Sequence, residues 1–577
     1  MRIMLLVEAF NSLSQRVYGE LVRCGHELAV EFDVNTESTQ QGVALFKPDV
    51  IVAPYLKRAI PRTVWSRYPC LIIHPGIPGD RGPSALDWAI LEGRREWGVT
   101  VLQANEELDA GDIWAFETFP LRIAPKSSIY RNEVTEAAVK ALCRALTSYK
   151  RGVLRPLSQR DTTLGAGILR GYHRPAMMQV DRAIDWGQDT TEVILRKIYA
   201  SDSAPGVRDW LCGRTVYLYG AWKEATLRGI PGALLGQRDG AVCRATVDGA
   251  VWITHMQAVQ QDGRGLKLPA TAVLGDAVAD VPCIPIVQNS TETWREIVRE
   301  QEGAVCHLHF PFYNGAMSAD QCRRLTDEYK RAKESDARVI VLHGGPDHWS
   351  NGIHLHVIEA SESPADESWR NIEAMNDLVL EILSTTRQMT IAALCANAGA
   401  GGVFLALAAD AVYARQGVVL NPHYKNMGNL YGSEYWTYLL PRRLDAEESD
   451  WLLQGRLPIT AAKAVAVGLI DGALGRTPAE FRDMIARLAR AWAHPDFWSA
   501  RLTAKVARRE EDEARRPLGA YRAAELAHMR RNFYGFDRSY HVARYHFVHK
   551  TLHAHTPLYL ATHRRARPLT QAQEGTS

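Results

Sequence analysis

The first 120 residues alternate short apolar runs with stretches of helical periodicity. The segments RIMLLV, HELAVEF, PDVIVAP, CLIIHPG and GVTVLQA have the composition of buried strands, and SLSQRVYGELVRCG has the spacing of an amphipathic helix. This alternation predicts a parallel sheet covered by helices. No glycine-rich fingerprint follows the first strand, so a nicotinamide-binding domain is not expected.

The pattern changes further along the chain, and these changes predict a multidomain α/β protein. We expect an α/β catalytic domain over 1–150, a Gly/Arg/Pro-rich linker over 151–180, and a small OB-like β-barrel module over 181–285. A second α/β domain is expected over 300–480, with a helix over 319–335 followed by the strand ARVIVLHG. The region 481–577 is expected to be helical, with a disordered tail, RPLTQAQEGTS.

Composition narrows the functional classes. The formal net charge of the 577 residues is +3. The electrostatic field of a chain with so small a net charge does not predict a nucleic-acid or a membrane partner. The nine cysteines form no C-x-x-C pair, which argues against a zinc knuckle or a disulfide framework and favours a cytoplasmic location. The apolar part of MRIMLLVEAF is short for a signal peptide, and no run has the length of a membrane span.

A histidine follows one predicted strand directly. His74 opens HPGIPGDRGPSALDWAI, and a strand ending there delivers the imidazole to the carboxyl edge of the sheet, where open α/β sheets bind ligands. Asp109 and Asp112 lie in a loop after the next strand, in GVTVLQANEELDAGDIW. An imidazole can stabilise an oxyanion and a carboxylate can move protons, which suits transfer of an acyl-level carbon. A histidine that merely caps a turn is the alternative.

These two stretches resemble the 10-formyltetrahydrofolate-dependent formyltransferases, whose pattern is N-x-H, a proline-rich loop, R-G, W-A-I, G-V-T and D-x-G-D. The likeness covers about residues 1–285, where AIDWGQDTTEVILRKIYASDSAPGV resembles the entry into the C-terminal barrel of methionyl-tRNA formyltransferase. The resemblance implies catalytic roles for His74 and Asp109. It also implies folate contacts for Arg81, Gly82 and Asp112.

One position departs from the family pattern. The asparagine expected two residues before the histidine is Ile72 here. Loss of one oxyanion donor costs about 3 kcal/mol of transition-state stabilisation. Either another donor replaces this amide, or the acceptor of the formyl group is not the usual amine.

A second cluster of small residues follows a later apolar run. In QMTIAALCANAGAGG, the small residues 398–402 allow backbone amides to approach a ligand closely at the predicted start of a helix. Two such amides that face one carbonyl would form an oxyanion hole. Tight packing alone is the alternative.

With WSNGIHL upstream, this segment resembles the crotonase (enoyl-CoA hydratase/isomerase) superfamily over about residues 300–480. The resemblance implies that a coenzyme A thioester is bound there. Its carbonyl would be held at the amides of Ile353 and Gly401, with Gly402 beside them.

The acid–base glutamates of that superfamily are not matched. One position is Phe404, and the other falls in NPHYKNMG, where His423 or Tyr424 takes its place. A phenol and a carboxylate near an apolar pocket can both have shifted pKa values. We therefore predict Tyr424 and Glu434 as the acid–base pair, with His423 as the next candidate; a core tyrosine and a surface glutamate are the alternative.

A folate formyltransferase joined to a crotonase domain resembles the hydrogenase maturation factors of the HypX/HoxX type. That resemblance implies transfer of a formyl group from 10-formyltetrahydrofolate to coenzyme A, followed by breakdown of formyl-CoA to carbon monoxide, the iron ligand of [NiFe]-hydrogenase. A thiolate acceptor needs less help than an amine, which is consistent with Ile72.

The expected ligands are therefore folate and coenzyme A, with no metal, and the candidate protein partners are other hydrogenase maturation proteins or the hydrogenase large subunit. Two alternatives stay open. One is a tRNA or other amine formyltransferase with an inert crotonase domain, and the other is a non-catalytic maturation scaffold.

Overall fold

The computed structural model describes residues 1–160, 169–260, 263–286 and 293–565. Part of the predicted linker and the whole of the predicted disordered tail lie outside these residues. Within the described part, every helix falls short of the length and apolar character needed to cross a membrane.

The N-terminal domain is a six-stranded sheet with helices on it. Its strands are β1 (Arg2–Val7), β2 (Glu27–Phe32), β3 (Val50–Ala53), β4 (Cys70–His74), β5 (Glu96–Gln103) and β6 (Ile113–Pro120). Its helices are α1 (Ser12–Arg23), α2 (Thr36–Phe46), α3 (Arg62–Trp65), α4 (Ala85–Leu91), α5 (Lys126–Ile129) and α6 (Thr135–Lys150), with a π-helical turn over Tyr130–Val134.

The strand order is β2-β1-β3-β4-β5-β6, and the predicted fold class is confirmed. Strands β1 to β4 run parallel, whereas β5 and β6 are each antiparallel to their neighbours. The nine residues 104–112 that join β5 to β6 are too few for the crossover that a parallel pair requires. The sheet is therefore mixed at the edge that carries the candidate site.

Local sequence explains the first helix and the strand that ends at the site. The side chain of Asn11 accepts a hydrogen bond from the amide of Ser14 and caps α1. Leu13, Val17 and Leu21 recur at four-residue spacing and bury one face of α1. Strand β4 is an almost continuous apolar run, as expected for a strand covered on both faces, and it ends on His74.

The middle of the chain forms a β module. After α7 (Thr191–Ala200) come β7 (Val207–Leu211), β8 (Arg214–Glu224), β9 (Leu234–Arg238), β10 (Ala241–Ala245), β11 (Ala250–Gln260), β12 (Gly263–Pro269) and α8 (Ala270–Leu274). The strands pair in the order β7-β8-β11-β10-β9, and β12 also pairs with β11. Among the described strands the hydrogen bonding stays open, so the predicted β module is present without a closed barrel.

The second α/β domain has a six-stranded and a three-stranded sheet. The strands are β13 (Val298–Glu302), β14 (Val305–His309), β15 (Val339–His343), β16 (Met389–Leu394), β17 (Ala398–Gly399), β18 (Ala411–Arg415), β19 (Val419–Asn421), β20 (Ile459–Thr460) and β21 (Gly472–Leu474). The larger sheet has the order β13-β14-β15-β16-β18-β21, and β17-β19-β20 form the smaller one.

Helices cover these sheets and continue to Val548. They are α9 (Ala319–Glu334), α10 (Leu355–Ala360), α11 (Pro364–Leu383), α12 (Gly401–Leu407), α13 (Trp436–Leu439), α14 (Ala446–Gly455), α15 (Ala461–Ala466), α16 (Pro478–Trp492), α17 (Pro495–Arg515), α18 (Leu518–Tyr534) and α19 (Ser539–Val548). Helix α18 packs on α11, which brings the C-terminal helical region against the second domain.

Polar contacts join the first domain to the second. Asp347 accepts hydrogen bonds from Ser128 and Asn132, the latter at 3.1 Å. The Asn421 amide donates to Oε1 of Gln15 at 3.0 Å. The two candidate sites therefore belong to domains that touch each other directly.

Two candidate active sites

The first site is centred on His74 at the end of β4. Its imidazole is buried, with Nε2 3.2 Å from Oδ1 of Asp80 and Nδ1 3.6 Å from Oδ2 of Asp109. The structure thus brings His74 and Asp109 together, as predicted from the two motifs. It also adds a second carboxylate on the opposite side of the ring.

Backbone geometry places Asp109 beside the loop that follows His74. Asp109 has φ 56°, in the left-handed region, and its Oδ2 accepts a hydrogen bond of 3.3 Å from the amide of Gly82. Gly82 has φ 114°, and a Cβ there would lie 2.1 Å from the carbonyl oxygen of Arg174. A glycine is therefore required at the position whose amide holds the candidate catalytic carboxylate.

The two carboxylates control the charge of the imidazole. Burial lowers the pKa of His74, but the hydrogen bond that its ring donates to Asp80 and the negative charges of Asp109 and Asp80 outweigh it and raise the pKa. The protonated ring has two N–H donors. Such an imidazolium can stabilise negative charge that develops on a carbonyl oxygen.

Asp80 was missed by the sequence analysis. It is 1 % exposed, its Oδ2 lies 3.5 Å from Nη2 of Arg174, and the family pattern assigns it no role. The signal available in the sequence was its place directly before the Arg81–Gly82 pair. Only the folded loop shows that it turns back onto His74.

The remaining predicted folate residues, Arg81 and Asp112, differ in their contacts. Arg81 donates from Nη1 to Oε1 of Glu107 at 2.7 Å, in the loop that carries Asp109. Asp112 is exposed, and its backbone carbonyl accepts from the amide of Gln103. Ile72 is partly buried and packs against an apolar cluster, so an apolar side chain occupies the position of the family's amide.

The second site contains the predicted Tyr424–Glu434 pair. The Tyr424 hydroxyl donates to Oε2 of Glu434 at 2.6 Å, and both side chains are buried. The ring of Phe404, which stands at the first glutamate position of the crotonase pattern, stacks on Tyr424 at 5.5 Å between ring centroids. The structure therefore brings this pair into direct contact under an apolar cover.

The pair lies against the predicted oxyanion segment. A Cβ on Gly401, at the start of α12, would lie 2.1 Å from Oε1 of Glu434. A Cβ on Gly352, the residue before Ile353, would lie 3.4 Å from the amide nitrogen of Gly401. The carbonyl oxygen of Gly402 accepts from the indole nitrogen of Trp349 at 2.8 Å. The two backbone segments and the carboxylate thus meet at one place.

Burial shifts both acid–base groups of this site. Burial raises the pKa of Glu434 to about 7, with a contribution from the charge of Glu525 and against the hydrogen bond from Tyr424. Burial and the neighbouring Glu434 raise the pKa of Tyr424 well above its usual range. Near neutral pH the carboxyl group can therefore gain or lose a proton, while the phenol stays neutral and donates to it.

The sequence analysis also did not predict the hydrogen-bonded network that lies behind Glu434. The amide of Glu434 donates to Oδ1 of Asn376 at 2.8 Å, and Nδ2 of Asn376 donates to the Ser433 hydroxyl at 2.9 Å. That hydroxyl lies 3.2 Å from Oε2 of the fully buried Glu525. The sequence signal was weak, because a glutamate in a helical pattern is ordinarily a solvated surface residue.

His423, the alternative to Tyr424, is buried as well. Burial and the nearby Arg456 lower the pKa of His423 to about 4. Among the described residues, neither of its ring nitrogens has a hydrogen-bond partner. Glu434 accepts a hydrogen bond from Tyr424, and among the described residues it has no hydrogen bond with the His423 imidazole.

Comparisons with known proteins agree with this division of the chain. Family models match as "Formyl transferase" over residues 26–146, "Formyl transferase, C-terminal domain" over 176–263 and "Enoyl-CoA hydratase/isomerase" over 300–539. The chain is 26% identical over 239 residues to a methionyl-tRNA formyltransferase of Syntrophus aciditrophicus, covering 40% of this chain and 74% of that protein.

Two relatives are similar over almost the whole length. The chain is 49% identical over 567 residues to hydrogenase maturation factor HoxX of Bradyrhizobium diazoefficiens, covering 98% of each protein. The structure of HypX from Aquifex aeolicus in complex with tetrahydrofolic acid is 50% identical, with a TM-score of 0.94, and the match covers 98% of this chain and 99% of that one.

Proposed function

Since the chain belongs to the family of hydrogenase maturation factors that includes HoxX and HypX, we propose that it forms carbon monoxide in two steps. The first site transfers the formyl group of 10-formyltetrahydrofolate to the thiol of coenzyme A. The second site breaks formyl-CoA into carbon monoxide and free coenzyme A. The product serves as a ligand of the hydrogenase iron, in keeping with the maturation role of this family.

His74, held between two buried carboxylates, supports the first step. The long contact to Asp109 leaves Nδ1–H of His74 as the donor to the formyl oxygen. Asp109 takes the thiol proton as sulfur attacks the formyl carbon, and this proton then goes to N10 of the folate as the C–N10 bond breaks. A thiolate is a stronger nucleophile than an amine, so the transfer needs less stabilisation of the formyl oxygen by hydrogen-bond donors. The site therefore operates with Ile72 in place of the family's asparagine.

The contact of Tyr424 and Glu434 beside the Gly401 amide is the observation that carries the second step. The amides of Ile353 and Gly401 hold the formyl oxygen, and the Glu434 carboxylate removes the formyl proton. The C–S bond breaks with its electron pair going to sulfur, carbon monoxide leaves, and the proton passes to the thiolate. Tyr424 orients Glu434 and keeps the proton within the pair.

The test supplies the purified full-length protein with 10-formyltetrahydrofolate, with and without coenzyme A, and measures tetrahydrofolate and carbon monoxide. We expect carbon monoxide only when both substrates are present. His74→Ala should form no tetrahydrofolate but should still release carbon monoxide from added formyl-CoA. Tyr424→Phe and Glu434→Gln should keep formyl transfer and lose carbon monoxide release.

Two exposed residues provide matched controls, Tyr545→Phe and Glu511→Gln, which should behave as the wild type in both assays. Carbon monoxide release at wild-type rates by both site variants would make His423 the next candidate. Formation of tetrahydrofolate with an amine acceptor and no carbon monoxide under any condition would instead support an amine formyltransferase with an inert second domain.

A further inference from the structure

Glu525 is a fully buried carboxylate that the reaction above does not use. It lies on α18, in the C-terminal helical region, and reaches the turn that carries Glu434. Its Oε2 accepts from the amide of Tyr435 at 2.9 Å and lies 3.2 Å from the Ser433 hydroxyl. Its Oε1 accepts from the amide and the hydroxyl of Thr437 at 2.8 and 2.6 Å.

These contacts favour the ionised form of Glu525. Two of the four groups around it, the amides of Tyr435 and Thr437, can only donate and therefore favour an ionised carboxylate. The Ser433 hydroxyl lies 3.0 Å from Oδ1 of Asn376 and 3.2 Å from Oε2 of Glu525, so its single proton is shared between these two acceptors. Burial raises the pKa of Glu525, and the four donors oppose that shift.

The turn that Glu525 holds is conformationally demanding. Glu434 and Tyr435 are consecutive residues with φ 60° and 59°, in the left-handed region that side chains other than glycine adopt at a cost. This geometry aims the Glu434 side chain at Gly401 and directs the amides of Tyr435 and Thr437 to the opposite side. Something must hold those amides, and the only described carboxylate that accepts from both is Glu525.

We propose that Glu525 is a positioning residue for the second site, which fixes the 433–437 turn beneath Glu434 and places a second buried negative charge behind that carboxylate. The inference rests on the proposed function. It assigns to the C-terminal helical region a direct part in the second site, through a residue about ninety positions downstream of the base it serves.

The charge of Glu525 has a defined chemical effect. Among the described residues, Tyr424 after β19 and Glu525 on α18 shift the pKa of Glu434. Glu434 in turn raises the pKa of Tyr424 and of Cys322 on α9. Arg522, one turn before Glu525, is directed to Asp377 and Tyr435. A negative charge behind Glu434 disfavours its ionised form and makes it a stronger base towards the formyl proton.

The test is the pH dependence of carbon monoxide release from added formyl-CoA by Glu525→Gln, which is nearly isosteric and uncharged. In the wild type the rate should rise with pH as Glu434 ionises, with a midpoint near 7. In Glu525→Gln we expect the midpoint to fall by about one pH unit and the plateau to fall about tenfold, because the base is weaker. Tetrahydrofolate formation should be unchanged.

Two further variants separate charge from position. Glu511→Gln removes an exposed charge on α17 and should leave both the midpoint and the plateau unchanged. Glu525→Asp keeps the charge but shortens the side chain, so the plateau should fall while the midpoint stays near the wild-type value. A Glu525→Gln profile that matches Glu511→Gln overturns the proposal. If Glu525→Gln does not fold, a wild-type plateau in Glu525→Asp overturns it instead.

An infrared titration distinguishes failure of this inference from failure of the proposed function. The C=O stretch of protonated Glu434, identified by its loss in Glu434→Gln, reports ionisation without any reaction. A lower midpoint in Glu525→Gln supports the coupling even if the protein releases no carbon monoxide from formyl-CoA. An unchanged midpoint overturns it.

Discussion

At the scale of single residues, each site depends on a carboxylate that lies behind the group expected to react. Asp80 contacts His74 in the first site, and Glu525 lies behind the Glu434 turn in the second. Both acids are buried, so their charges act through a medium that screens them weakly. Both favour the protonated form of the neighbouring group, but with opposite results for its charge: Asp80 favours a charged imidazolium, and Glu525 favours a neutral carboxyl group.

Asp80→Asn should restrict formyl transfer to lower pH. The substitution removes a negative partner of His74 and so lowers the pKa that Asp80 helps to raise. If the imidazolium is the active form, activity is lost as pH rises through that pKa, and in the variant the loss begins at lower pH. We expect tetrahydrofolate formation on the high-pH side of the profile to fall severalfold, by up to about tenfold for each unit by which the pKa decreases.

The measurement is the rate of tetrahydrofolate formation across the pH range. Glu106→Gln, an exposed carboxylate in the loop after β5, is the control and should follow the wild-type profile. A profile for Asp80→Asn that coincides with this control would show that Asp80 has no part in holding the charge of His74.

At the scale of elements, the start of α12 and the 433–435 turn are packed too closely to admit another side-chain atom. Phe404, one turn into α12, stacks on Tyr424, so the same helix places its first residue against Glu434 and an apolar ring against Tyr424. The site is thus formed by a helix start and a strained turn, and not by two independent loops.

Gly401→Ala should abolish carbon monoxide release while formyl transfer continues. The new Cβ would lie 2.1 Å from Oε1 of Glu434 and would push this carboxylate away from the start of α12. We expect a loss of about 100-fold or more, the scale for removal of an oxyanion donor. Gly519→Ala on α18, where a Cβ meets no atom within 4 Å, is the control.

Both rates are measured in parallel, tetrahydrofolate from the folate substrate and carbon monoxide from added formyl-CoA. Wild-type carbon monoxide release by Gly401→Ala would place the reaction away from this helix start. Loss of both activities would indicate misfolding, which thermal unfolding curves of the two alanine variants would reveal.

At the scale of the whole molecule, the end of the described chain returns to the first domain. Glu31 on β2 is fully buried and accepts hydrogen bonds from Thr556, His563 and Arg564 at 2.6, 2.9 and 2.8 Å. Burial opposes the charge of Glu31, but these three donors outweigh it and lower its pKa. The C-terminal segment therefore ties the second domain and its helices back to the first sheet.

Glu31→Gln should release this segment. A glutamine keeps an acceptor for Thr556 but has no charge for His563 or Arg564, and breaking a buried ion pair costs about 3–5 kcal/mol. We expect residues 550–565 to be cleaved much faster in limited proteolysis. Glu27→Gln, an exposed carboxylate on the same strand that pairs with Arg2, is the control and should resist cleavage as the wild type does.

The same contact predicts a pH dependence in the wild type. Because the pKa of Glu31 is lowered in the folded state, its stabilising contribution is complete above its unfolded-state pKa and is lost as pH falls through the folded-state value. Protection of the segment should therefore decrease in acid, and Glu31→Gln should show little of this decrease. Equal acid sensitivity in both proteins would assign the effect to other groups.

The sequence by itself determined the local features of this protein. Apolar periodicity located β1 to β5 and α1. A buried strand is a continuous apolar run, and a helix with one buried face has apolar residues every three or four positions, so both are visible within a short stretch of sequence. The two motif sets indicated the two domain families, and the missing glutamates of the crotonase pattern led to Tyr424 and Glu434 as candidates. His74 was placed at a strand end from the run before it, which is where the structure has it.

Only the tertiary structure decided which distant groups meet. The antiparallel pairing of β5 and β6 depends on a short connection and on space at the sheet edge, which apolar periodicity does not record. The contact of Asp80 with His74 depends on how a glycine-rich loop folds back, and that of Glu525 with the 433–437 turn depends on the packing of α18 against α11. The pattern of side chains along one helix or strand shows which of its faces is buried. It does not show which distant donors stabilise a buried charge, because these donors come together only when the chain is packed.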